Sequence, residues 1–328
     1  MMDYEIFKEE VSEKFRDFLP EEYQEWDIRI RPVQKVNVTL DGISLFDKNS
    51  KLSVSPMIYI NDMYKRYQDI NDLQAVLQTM ADMMVQAMKQ VPDPAMDFKT
   101  AEEKVFFQLV NTEQNRDMLA GLPHREFQDL SIIYRWLIDN SGEGMQSIVV
   151  DDQIKEKIGM SEEQLFQAAA QNTRNLLPPV VKSMDEVIYE IFTGDGMPEE
   201  LAKLMLDKLS TELKAYIITN EKAIGGAASM LYETELHKLA ERLDDDLYIL
   251  PSSIHEAIAV PASAGSDPGE LAQMVFEINM TQVSLSERLS NQVYLYDKDL
   301  RKLSLATDTP NKRLDGAASE TPMVYEAK

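Results

Sequence analysis

Hydrophobic and polar positions change period several times along the chain, and each change marks an element. Between residues 3 and 18, Ile6, Phe7, Val11, Phe15 and Phe18 recur at helical spacing with Lys8, Glu9, Glu13 and Arg16 between them. That pattern predicts an amphipathic helix closed by Pro20. Alternation then takes over: Ile28 and Ile30 with Arg29 and Arg31, then Val36, Val38 and Leu40 with polar neighbours. Asp41-Gly42, followed by Ile43 and Leu45, reads as the turn of a hairpin, because both turn positions require positive φ. From Asn71 the helical period returns in Leu73, Val76, Leu77, Met80, Met83, Met84, Ala87 and Met88. Asn71 and Gln74 suggest a capping box at its start, and Pro92 and Pro94 stop it. A methionine-rich stripe suits either a core or an adaptable partner groove, and core packing is the expectation here. Residues 91 to 100, with Val-Pro-Asp-Pro, read as a hinge between two halves.

The second half opens with KVFFQLVN and an apolar run from Leu130 to Ile138 that suggests a buried strand, with a helix as the alternative that periodicity leaves open, followed by a short strand at 147 to 150. Three helix starts follow: Ser161 with Gln164, Ser183 with Glu186, and Pro198 in a first turn. AYIIT, the turn NEKAIGG and AASML predict a hairpin, and Leu236, Leu239, Ala240 and Leu243 a helix. Leu247 to Pro261, LYILPSSIHEAIAVP, reads as a strand, a kink and a second strand. Asp267, Pro268 and Glu270 start a last helix bearing Leu271, Met274, Val275 and Ile278, and VYLYD with KLSLA form a closing hairpin. The expected fold is α+β: mostly antiparallel sheets flanked by amphipathic helices in two packed parts, 1–96 and 97–306. Residues 307–328 lack periodicity and predict a flexible tail.

The segments NTRNLLPP (172–179), YIITNEKAIGGAASMLY (216–232), LYILPSSIHEAIAVP and LPHREFQDLSIIYR carry a resemblance. Together they resemble a domain-of-unknown-function family of anaerobic gut bacteria and their mobile elements, over roughly residues 3 to 306, with PHREF and PSSIHE the most specific segments. The last half is also distantly similar to a second uncharacterised bacterial family with the same order of strands and helices. The resemblance implies no activity, cofactor or catalytic residue.

Charge and composition narrow the function classes. The net charge of −24 repels phosphate backbones, so direct nucleic-acid binding is not expected. The absence of cysteine removes thiolate chemistry and disulfides. The acidic amphipathic start is not a signal peptide, and no apolar run reaches bilayer length, which together suggest a cytoplasmic protein that makes no membrane contact. With three histidines, no H-E-x-x-H, no spaced calcium loop among Asp244, Asp245 and Asp246, and no glycine-rich phosphate loop, neither a metal nor a cofactor is expected.

Two polar clusters are the candidates for chemistry. In the first, Ser252, Ser253, His255 and Glu256 lie in the central stretch; on a strand Ser253 and His255 would share a face, offering a nucleophile and base. The nucleophile elbow is missing, so serines satisfying backbone groups at a kink are the competing reading. In the second, His124 and Arg125 follow Pro123, with Glu126 and Asp129 nearby; they suit either an anion-binding pocket mouth or an ion-paired segment start. His237 reads as exposed. The sequence therefore leads to a non-enzymatic accessory or interaction protein with an unknown protein partner. A hydrolase centred on Ser253 and His255 and an acidic nucleic-acid mimic are the alternatives.

Overall fold

The computed structural model describes residues 1–47, 55–89, 100–139, 145–209, 214–265 and 267–316. The chain divides into two compact units, Met1–Met96 and Asp97–Lys328. Apart from Thr100, the expected hinge at 91 to 100 lies outside the described residues.

In the first unit, α1 (Tyr4–Lys14) starts at Asp3, whose side chain accepts the Ile6 amide, and buries Phe7 and Val11. Strands β1 (Asp27–Lys35), β2 (Val38–Phe46) and β3 (Met57–Tyr59) form an antiparallel sheet in that order. The hairpin turn falls at Val36-Asn37 and not at Asp41-Gly42. Lys35 pairs with Val38, and Asn37 takes the left-handed φ of 64° that the tight turn needs. Gly42 lies inside β2, where a Cβ would overlap the Met57 side chain; close packing, not a turn, demands glycine there. Helices α2 (Ile60–Ile70) and α3 (Leu73–Lys89) follow. Asn71, expected to open α3, closes α2 at φ 50°, its N–H donating to the Tyr67 carbonyl. Asp72 opens α3 instead, its Oδ1 accepting from the Ala75 N–H at 3.1 Å. Val76, Leu77, Met80 and Met84 are buried with Phe7, Phe15, Ile43 and Leu45, so the methionine stripe is mainly core; Met83 is exposed.

The second unit holds two antiparallel sheets. Its first part contains α4 (Ala101–Lys104), β4 (Val105–Asn111), α5 (Arg116–Leu119), β5 (His124–Phe127), β6 (Leu130–Asp139) and β7 (Gln146–Val149). The long β6 pairs with β4 along one edge; β5 and β7 share its other edge, opposite Leu130–Ile133 and Arg135–Asp139 respectively. Then come α6 (Asp152–Ile158), α7 (Glu162–Leu176), β8 (Pro179–Ser183), α8 (Met184–Gly194) and α9 (Glu199–Leu209). Both expected capping boxes form, Ser161 with Gln164 and Ser183 with Glu186. The remaining elements are β9 (Tyr216–Asn220), α10 (Glu233–Leu243), β10 (Leu247–Leu250), β11 (Ala257–Pro261), α11 (Pro268–Thr281), β12 (Tyr294–Asp297) and β13 (Lys302–Leu305). They complete a six-stranded sheet of order β13-β12-β10-β11-β9-β8. The fold is α+β with several antiparallel sheets, as the sequence predicts.

Three expectations are corrected here. AASML is no strand: Gly226–Leu231 is a 3-10 turn, and β9 pairs with β8 and β11. A Cβ at Gly226 would collide with Thr219 Oγ1, the His255 carbonyl and the Asn220 amide, so this backbone passes against the end of β9 and the loop before β11 where only glycine fits. Leu247 to Pro261 is a hairpin whose strands pair from Leu247↔Pro261 to Leu250↔Ile258; residues 251–256 form its loop, so Ser253 and His255 do not share a strand face. The expected tail starts too early. Leu314 is fully buried, Arg288 Nη1 donates to its carbonyl at 2.6 Å, and its N–H donates to Gln114 Oε1 at 3.2 Å. Residues 307–316 thus dock on the unit, while 317–328 lie outside the described residues. Among the described residues no helix is long and apolar enough to cross a membrane.

Candidate functional site

His124 lies on β5 opposite Ile133 with Nδ1 at 2.8 Å from the Leu122 carbonyl, and it lines neither cavity that His255 lines. Arg125 points into an ion-paired junction: its guanidinium reaches Glu162 at 3.0 Å and Glu163 at 2.5 Å and lies 3.9 Å from the centre of the Phe166 ring. Hydrogen bonds to both carboxylates raise its pKa. Glu162 also accepts the Tyr134 hydroxyl, so the cluster fastens the start of α7 to the sheet. This is the structural reading of that segment. Asp129, in the β5–β6 turn, accepts hydroxyls from Ser290 (2.6 Å) and Tyr294, and desolvation pushes its carboxyl above the ordinary range. His237 is largely covered, with Nε2 at 3.3 Å from Glu241, and is not the exposed side chain expected.

Around His255 the loops are tightly specified. Ser253 is buried; its Oγ accepts the backbone N–H of His255 at 3.0 Å, and its backbone bridges to Arg288. Ser252 contributes its carbonyl to the Leu289 N–H. The His255 carbonyl accepts the Thr219 hydroxyl at 2.8 Å. Opposite, Asn220 clamps the loop after β9. Its Oδ1 accepts from Lys222 and Ile224, its Nδ2 donates to the Ile224 carbonyl at 2.8 Å, and Ala223 is held at φ 51°. That clamp presents the Gly225 N–H to His255 Nδ1 at 3.4 Å. With Nδ1 accepting, a neutral imidazole carries its proton on Nε2 and is a donor there. His255 stands between two hollows. One, of about 440 Å³, is open and polar, lined with Ser253, Glu256, Gln282 and Glu287. The other, of about 240 Å³, is more enclosed.

The enclosed cavity draws its floor from the β4-β6-β7 face. Phe106 pairs with Arg135 and Arg135 with Val149, so alternation places Phe106, Gln108, Arg135 and Ser147 on one side of the sheet. Met145 and Leu177 add apolar wall; Ile224, Gly225, Ile254 and His255 close it from the two loops. Arg135 is fixed by three hydrogen bonds: Nε to Ser147 Oγ (3.0 Å), Nη2 to the Ser147 carbonyl (3.1 Å) and Nη1 to Gln108 Oε1 (3.4 Å). Guanidinium has five N–H groups, so one on each terminal nitrogen has no partner among the described residues. Burial alone lowers its pKa, and no ion pair to a described carboxylate offsets that cost. No acidic residue lines the cavity, although the chain carries 57 Asp and Glu.

Of the residues singled out from the sequence, His255 lines both hollows, Ser253 and Glu256 line the open one, and His124 and Arg125 stand elsewhere. The sequence pattern does not single out Gln108, Ser147 or Asn220. Arg135 did carry a signal, a charge in the midst of the apolar run Ser-Ile-Ile-Tyr-Arg-Trp-Leu-Ile. Among the described residues, no group of three or more His, Asp or Glu side chains could hold a metal ion.

A family model described as a family of unknown function (DUF5688) matches residues 4–298, and the chain belongs to that family. Neither a curated protein nor a solved structure matches it.

Proposed function

We propose that this member of the DUF5688 family binds a small organic acid, with its carboxylate on Arg135 and its apolar body in the enclosed cavity. The reading rests on one observation: a desolvated guanidinium, held rigid by Ser147 and Gln108, has no carboxylate partner among the described residues and faces an acid-free cavity. A planar carboxylate matches the free N–H on each terminal nitrogen, and bidentate pairing of this kind is among the stronger charge-assisted contacts. The Nε2–H of His255 adds a third donor, and Phe106, Leu177 and Ile254 favour an aliphatic or aromatic body. At about 240 Å³ the space suits a ligand below drug size, for which pockets run from about 300 Å³ upward.

This is a binding function and not a hydrolytic one. Ser253 Oγ accepts the backbone amide of His255 and the imidazole Nδ1 accepts from Gly225, while no hydrogen bond joins the hydroxyl to the imidazole among the described residues. The reading keeps the bacterial origin and cytoplasmic setting expected from the sequence.

Thermal unfolding of the full chain with 3-phenylpropanoate, hexanoate and their uncharged amides tests it. At about ten times Kd an acid stabilises by roughly 1.4 kcal/mol, a shift of a few degrees. Amides should give no shift, and Arg135→Gln, which can keep a hydrogen bond to Ser147, should abolish the response to the acids. Equal shifts with acids and amides, or none with either, would overturn the proposal.

A further inference from the structure

From the helical hairpin of α8 and α9 we infer a second, independent binding surface, one that docks a basic amphipathic helix of a partner protein. These helices leave much of their apolar surface uncovered. α8, Met-Asp-Glu-Val-Ile-Tyr-Glu-Ile-Phe-Thr-Gly, is apolar in most positions yet has no buried residue. In α9, Ala202 is buried while Leu201, Leu204 and Met205 are exposed at 46%, 52% and 37%. Thirteen large hydrophobic side chains are exposed among the described residues; Ile191, on α8, and these three place four of them on this one hairpin. Positions 201, 204 and 205 fall at i, i+3 and i+4, so they form a continuous stripe on one face of α9. A contiguous apolar surface on a soluble protein marks an interaction site.

Charge selects the occupant. Residues 184–209 carry seven acids, Asp185, Glu186, Glu190, Asp195, Glu199, Glu200 and Asp207, against two bases, Lys203 and Lys208. Lys182 pairs with Glu190 at 2.7 Å, which still leaves the hairpin acid-rich, and an apolar stripe in that field complements a helix that presents leucine-like anchors flanked by Lys or Arg. A second copy of this chain would bring the same acidic rim and a net charge of −24 against its own kind, which disfavours self-association.

A short synthetic peptide of Leu and Lys in an amphipathic helical pattern, and its Leu and Glu counterpart, are titrated against the full chain by fluorescence anisotropy at physiological salt. The Lys peptide should bind and the Glu peptide should not. Leu204→Glu and Ile191→Glu replace exposed side chains and should each weaken the Lys peptide at least about tenfold, the loss expected when one apolar anchor is removed. Both variants also make the protein more acidic, so unchanged or tighter binding would show plain charge attraction and overturn the inference. Absence of binding, or self-association in sedimentation that Leu204→Glu abolishes, would overturn it equally.

Discussion

The strand-free segment after β13 offers the sharpest test of how this fold is held together, through Leu314. Its side chain is fully buried, far in sequence from the Gln114 and Arg288 side chains that grip its backbone at 3.2 and 2.6 Å. Asn291 Nδ2 also donates to the carbonyls of Asn311 and Arg313, and Gln292 exchanges hydrogen bonds with Thr309. Leu314→Ala removes three buried carbons, about 2.4 kcal/mol of transfer free energy at roughly 0.8 per carbon. The cavity left behind adds to this, within the span of about 2–5 kcal/mol for buried leucines. The loss is capped by the free energy of undocking the segment, since beyond that point it detaches locally. Trp26 and Trp136 are the only tryptophans and fall in different units, so a Trp26→Phe background leaves Trp136 as the reporter of the second unit. Urea unfolding followed by its fluorescence should show a loss of about 2–4 kcal/mol for Leu314→Ala. Truncation after 316 is the companion variant that retains every contact named above. A loss below about 1 kcal/mol for Leu314→Ala, with an unchanged midpoint after truncation at Ala306, would refute docking of 307–316 and restore the flexible tail.

Two further outcomes follow from other contacts. Asp129 titrates above its ordinary range because it is desolvated, so the folded state binds its proton more tightly than the unfolded state does. Its contribution is therefore fully present below about pH 4 and lost as pH rises through the raised folded value; Asp129→Asn should flatten that part of the stability–pH profile, and coincident profiles would contradict the assignment. Gly226→Ala should cost about 1–3 kcal/mol by overpacking against the His255 carbonyl and Asn220 amide. Because it displaces the loop that presents Gly225, it should also weaken acid binding; a neutral effect in calorimetry would show that the loop yields freely.

Features written within a few residues were legible in the sequence. Ser161 with Gln164, Ser183 with Glu186, and Asp267 before Pro268 act over three or four positions, and each starts its helix where expected. The apolar density of β6 and the VYLYD–KLSLA hairpin likewise need only local sequence, so the α+β class and its antiparallel sheets could be read directly. Where two local signals competed, the pairing partner decided. Asp41-Gly42 has turn chemistry, but the nine-pair register between β1 and β2 puts the turn at Asn37 and uses Gly42 to admit Met57. AASML lacks a period of its own, and its 3-10 form follows from Gly226 crossing the strand that carries Thr219 and the loop that carries His255.

The candidate site lay mostly beyond that reach. His255 is visible as a polar residue in an apolar stretch, but the partner that the sequence suggests for it is Ser253, two loop positions away. Arg135, 120 residues earlier, lines one cavity with it, brought there only when the four-stranded sheet meets the loops after β9 and β10. Sequence by itself determined the helices with clear caps and the strands with clear patterns, because caps and periodicity are local free energies. Which guanidinium lacks a carboxylate partner among the described residues, which glycine is squeezed and whether Leu314 is buried depend on contacts between separate segments of the chain, and tertiary packing alone decided them.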